Sequence, residues 1–118
     1  MTGSETQVEY ATRAQARVVA IWTTAAYRLL DVAPQRLEPA LEPIVASLVR
    51  FCLDIASRAA AGVDAAFILQ HNYSPDAWNN AIYAGGFDKV LRTTVGKRTP
   101  WELRQLLVEV MSGVLSRP

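Results

Sequence analysis

Cys52 and His71 are the only cysteine and the only histidine in the chain, so any thiol or imidazole chemistry must run through them. A Cys–His pair would make the sulfur a nucleophile by passing its proton to the ring. Cys52, however, falls within an apolar run spaced by three and four, where a thiol acts as a small hydrophobe with a raised pKa. A metal site needs more ligands of this kind than one cysteine and one histidine supply. Glu38 and Glu42 stand four apart, as a general acid and base might, but each precedes a proline in what should be an exposed turn. Gly85-Gly86 lacks the later glycine and the Lys-Ser/Thr of a phosphate-binding loop, and there is no Gly-x-Ser-x-Gly elbow. The expectation is a chain that is not an enzyme and carries no cofactor or metal.

Binding chemistry is better represented. Gln70-His71-Asn72-Tyr73, followed by Trp78-Asn79-Asn80 and Tyr83, gathers amides, an imidazole and aromatic rings in one stretch. Such side chains give amphipathic, hydrogen-bonding contact area. On a helix beginning at Pro75, Trp78 and Ile82 would face the core, leaving His71, Tyr73, Asn79 and Tyr83 as a protein-contact patch. The competing expectation is that these groups satisfy one another and the loop backbone.

Two further surfaces can be drawn. Lys89, Arg92, Lys97, Arg98 and Arg104 form a basic cluster diluted by Asp88 and Glu102. With short helices split by Gly85-Gly86, it invites a helix-turn-helix reading in which 87–95 meets nucleic acid; a solvated positive face is the plainer alternative. Helix one, in turn, is uncharged over 18–27 and apolar around most of its circumference. Not every face can find cover in a small fold, so Val18, Ile21 and Trp22 are candidate contacts with a partner or a second copy.

These residues must be positioned by helices. Ala11, Val18, Trp22, Ala25 and Leu29 recur by three and four, which predicts a helix over 5–30, supported by a Glu9–Arg13 pair four apart. Pro34, Pro39 and Pro43 punctuate 31–43, read as a helix connection. Helix two, 43–61, carries the stripe Leu41, Ile44, Val45, Leu48, Cys52, Ile55, Ala56 and Ala59. Arg50, Asp54 and Arg58 are four apart on its other side, and Gly62 is placed to stop it. Asp64 can cap a short helix to Leu69; a lone strand there would have no partner. Ser74-Pro75-Asp76 starts a short helix ending at Gly85-Gly86, and 87–95 forms another, closed by Gly96. Thr99-Pro100-Trp101-Glu102 reads as a capping box for a last helix striped with Leu103, Leu106, Leu107, Val110, Met111, Val114 and Leu115.

Composition bounds the answer. At 118 residues the chain fits a single helical domain over 1–118, with 1–4 a flexible terminus. Hydrophobic residues at 51% and charged residues at 19% favour a packed core over disorder. A net charge of +1 lacks the basic excess of a dedicated nucleic-acid protein and weakens resistance to association. No uncharged stretch approaches the roughly 20 residues of a spanning helix. Residues 1–10 carry Glu5 and Glu9 but no basic side chain, unlike a secretory or transit leader, and a lone cysteine suits a reducing compartment. The expected location is therefore cytoplasmic. The expected fold is all-α, a compact bundle of four to five helices, three longer and two short. The expected function is a non-enzymatic interaction module, a subunit or adaptor that binds a protein partner or a second copy through an apolar helix face. The alternative is a small nucleic-acid-binding regulator using Lys89, Arg92, Lys97 and Arg98.

Overall fold

Helix α1 (Glu5–Arg36) starts at a reciprocal cap: the Ser4 hydroxyl accepts from the Gln7 N–H at 3.1 Å, and the Gln7 side chain accepts from the Ser4 N–H at 3.1 Å. The structure is a computed structural model that describes residues 1–74 and 101–116. These residues are all-α: α1, a 3-10 turn (Pro39–Leu41), α2 (Glu42–Ala61), α3 (Ala65–Gln70) and α4 (Trp101–Leu115). Among them no helix is long and apolar enough to cross a membrane. The helices expected to start at Ser74-Pro75 and to span 87–95, and the Thr99-Pro100 half of the last cap, lie outside the described residues.

α1 outruns its expected end. It continues through Pro34 to Arg36, so the connection between α1 and α2 is much shorter than 31–43. Pro34 removes one intrahelical hydrogen bond, but only two helical residues follow it, so little of the ladder is lost. The apolar period also favours continuation: Ala33 follows Leu29 by one turn and is buried, and its carbonyl accepts the Leu37 N–H at 2.9 Å, closing the helix.

α2 runs antiparallel to α1. Gln15 reaches Ala59, the Trp22 and Phe51 rings meet edge to face, and Ala33 lines a groove with Val45. Every member of the α2 stripe from Ile44 to Ala59 is buried, with Leu41 half-buried and Val49 joining the core. Gly62 ends α2 in the left-handed region at φ 66°, and the Gln15 amide donates to the Ala59 carbonyl at 2.9 Å, covering an end that α2 cannot satisfy alone. The expected pairing of Asp54 with Arg50 and Arg58 does not form. Arg58 lies over the Phe67 ring, 4.0 Å from its centroid, where a cation–π contact replaces a weak exposed ion pair.

α3 is capped as expected, the Asp64 carboxylate accepting from the Ala66 N–H at 3.0 Å. The chain start is tied down here, not loose. Thr2 donates from its N–H to the Val63 carbonyl at 2.6 Å, and its own carbonyl accepts the Ala65 N–H at 2.9 Å. Those bonds satisfy backbone groups at the start of α3 that would otherwise need water. In α4 all seven stripe residues are buried, and Glu109 on its outer face forms a forked ion pair with Arg36 at the end of α1. That contact holds the Arg36 guanidinium above its ordinary pKa and the Glu109 carboxyl below its own.

Two glycines give opposite expectations. Gly62→Ala should lower unfolding free energy by about 1–2 kcal/mol, because an L-residue is disfavoured at positive φ and the new Cβ would fall 2.7 Å from the Gln15 amide. Gly113→Ala, where a Cβ meets nothing within 4 Å, should instead stabilise α4 by about 0.5–1 kcal/mol. Urea midpoints at unchanged m-value read both.

Candidate functional site

Trp22 is the hub between α1 and the segment after α3. Its indole N–H donates to the His71 carbonyl at 2.9 Å, and its ring meets Phe51, His71 and Tyr73 edge to face at centroid distances of 6.2, 5.8 and 6.0 Å. The imidazole stacks on Phe67 at 4.3 Å, and His71 Nδ1 lies 2.8 Å from the Phe67 carbonyl, so Nδ1–H is the donor in the neutral ring. Arg17 on α1 donates to the Asn72 side chain. The amide–aromatic stretch thus binds its own chain as far as Tyr73. His71 and Tyr73, expected on a contact patch, are half-buried members of this cluster, while Asn79 and Tyr83 lie outside the described residues.

Burial pushes the His71 imidazole below its ordinary pKa. The Phe67 carbonyl opposes this and the charge on Arg58 adds to it. Burial likewise raises the Tyr73 phenol and pushes the Cys52 thiol up to about 12. No hydrogen bond joins Cys52 to His71 among the described residues, and a thiol at about 12 supplies no thiolate near neutrality. Nor do three or more His, Cys, Asp or Glu side chains converge there.

Val18, Ile21 and Trp22 were expected on an outward-facing stripe, but they are core: their exposures are 0%, 6% and 1%. The reason is that α1 turns the face carrying them toward the other helices, packing against α2, α3 and α4, while its opposite face stays exposed. The large apolar side chains that α1 does expose are Tyr10, Tyr27 and Leu30, with exposures of 57%, 62% and 50%. Lys89, Arg92, Lys97 and Arg98 lie outside the described residues.

Leu30 borders a groove where α1 turns into α2. The groove holds about 340 Å³ and is lined by Leu30, Ala33, Pro34 and Leu37 from the end of α1, Glu38 and Pro39 from the connection, and Glu42, Val45 and Ala46 from α2. Ala33 and Val45 form a buried floor, Leu30 and the two prolines form exposed walls, and the exposed acidic residues Glu38 and Glu42 complete the edge. Proline fixes φ, so these walls are stiff. A second, wider trough between α1 and α4 is bordered by Ala16, Ala20, Thr24 and Gly113. Its lining also takes in the apolar Ile21, Val114 and Leu115 and two arginines, Arg17 and Arg28, so it mixes apolar and charged surface. Compared with family models, curated proteins and solved structures, the chain matches none.

Two outcomes follow from this placement. Ile21→Glu and Trp22→Glu should abolish the helical circular-dichroism signal, where a surface seam would release a folded monomer instead; even Trp22→Phe, which strips the His71 carbonyl of its N–H partner, should cost about 1–3 kcal/mol. The pH response has a definite sign. Unfolded His71 binds its proton near pH 6.5, at about 6.5 for a free imidazole, while the native ring binds it only at lower pH. Between these values the unfolded chain holds more protons, so stability is full above that window and falls as pH drops through it. Urea midpoints measured across the window should show this slope, and His71→Gln should flatten it.

Proposed function

We propose that the chain is a non-enzymatic interaction module of the cytoplasm, a small helical subunit or adaptor that binds a protein partner through the groove where α1 runs into α2. The observation that carries this reading is an apolar concavity already formed in the free chain, with Leu30 half-exposed on its wall. Tyr27 lies one turn earlier on the same helix face and extends the apolar surface beyond the groove. Contiguous exposed apolar surface of this kind is a common mark of a binding site.

The energetics suit a short segment better than a large rigid domain. Burying one leucine-sized side chain is worth about 1.5–3 kcal/mol, so the groove supplies one strong anchor and Tyr27 a second. Stiff proline walls reduce the ordering cost on this side of the interface. The expected complex is therefore specific, of modest affinity, and dependent on Leu30.

A photoreactive phenylalanine analogue placed at position 30, in the native cell, tests the reading against the same analogue at position 53. Leu53 is exposed on α2 but lies outside the groove. One discrete adduct from position 30, identified by mass spectrometry and absent from position 53, is the expected result. Equal adducts from both positions, or none from either, would sink it. Leu30→Gln should remove a non-covalent complex with the identified partner while changing stability by only about 0.5 kcal/mol.

A further inference from the structure

We propose that the segment received by the groove is basic as well as apolar: a leucine-like anchor flanked by lysine or arginine. This rests on the groove being the docking face.

The argument is one of charge. Among the described residues, Glu38 and Glu42 are the charged ones that line the groove, and no basic one does. Neither carboxylate has an ion-pair partner among the described residues. The nearest cation along the chain, Arg36, is committed to Glu109 on α4 and so does not neutralise them. The helix ends do not change the sign either. The negative C-terminal end of α1 and the positive N-terminal end of α2 meet at this corner, and their partial charges offset one another. Among the described residues, what remains is an apolar pocket beside two carboxylates that have no ion-pair partner. An acidic segment would be repelled there. A neutral one would gain only its apolar contact, and a basic one gains both terms. Complementary charge at the rim of an interface chiefly sets specificity and association rate, while the anchor supplies most of the affinity. A second copy of the chain is the competing occupant, and it carries a net charge of only +1.

The test uses the full chain and short labelled peptides that share the same leucine anchors but carry Lys, Ser or Glu at the flanking positions, read by fluorescence anisotropy. The Lys peptide should bind tightest and lose affinity as salt is raised. The double variant Glu38→Gln, Glu42→Gln should weaken it by about two- to fivefold per carboxylate and leave the Ser peptide unchanged. Leu30→Gln should weaken every peptide. Equal binding of the Lys and Ser peptides, both lost in Leu30→Gln, overturns the charge assignment and leaves the groove standing as a docking face. Preference for Lys that survives both the Leu30→Gln and the double variant overturns the groove as well. Absence of binding by all peptides, or concentration-dependent self-association that Leu30→Gln abolishes, overturns the basic partner; the latter gives the groove to a second copy.

Discussion

Helix α1 must bury one long apolar face, and the rest of the fold follows from that demand. α2, α3 and α4 each pack on it, and their buried residues join those of α1 in one core. Trp22 lies fully buried near its middle. Removing the whole side chain of a buried Trp or Phe typically costs about 3–5 kcal/mol, a large fraction of the stability of a domain this small. Trp22 also organises a polar contact, because an indole N–H buried without an acceptor would be costly. The His71 carbonyl supplies that acceptor, which fixes where the chain goes after α3. From there the Phe67 and His71 rings pack against each other within α3 and its cap, and the Arg58 guanidinium over Phe67 joins α2 to α3. The lowered imidazole pKa is a consequence of that burial.

Much of the helical framework was legible because its signals are local. The stripe on α2 and the stop at Gly62 depend on spacing and on one residue's conformational freedom. The same holds for the stripe on α4 and the Asp64 cap. The Ser4–Gln7 capping box was equally legible, as Ser-x-x-Gln before an apolar run, although the expectation had been a loose start. The end of α1 failed for a physical reason. A proline rule weighs the cost of one residue, whereas the helix responds to the sum, and burial of Ala33 with closure at Leu37 outweighs one missing bond near the terminus. The tether from Thr2 to Val63 and Ala65 joins residues far apart in sequence, and no local pattern announces it.

The candidate site was far less legible. Hydrophobic type does not say which apolar residue is covered, only that some must be. The apolar excess of α1 points to Val18, Ile21 and Trp22 in sequence, but which of its apolar residues are covered depends on the face it turns toward the other helices. Those residues lie under the packed helices, and the uncovered large side chains of α1 are Tyr10, Tyr27 and Leu30. The groove itself is a product of tertiary structure. Its floor joins Ala33 to Val45 across an antiparallel pair, and its edge comes from a turn whose length was overestimated. Glu38 and Glu42 had been noticed, but as a possible acid–base pair. Their setting beside prolines argued against catalysis, and the same setting puts them at the edge of an apolar pocket.

On the proposed reading, the groove divides labour between stability and recognition. Ala33 and Val45 belong to the core as well as to the groove floor, at 4% and 7% exposure. Leu30 and Pro34 project from the same turns of α1 into solvent. Enlarging a floor residue would therefore strain the α1–α2 packing before it altered binding. Changing a wall or edge residue leaves that packing alone. The shape of the pocket is thus inherited from the core, and its specificity is set by side chains the core does not need. Such a surface can acquire a different partner through its walls and edge while the fold beneath it stays the same.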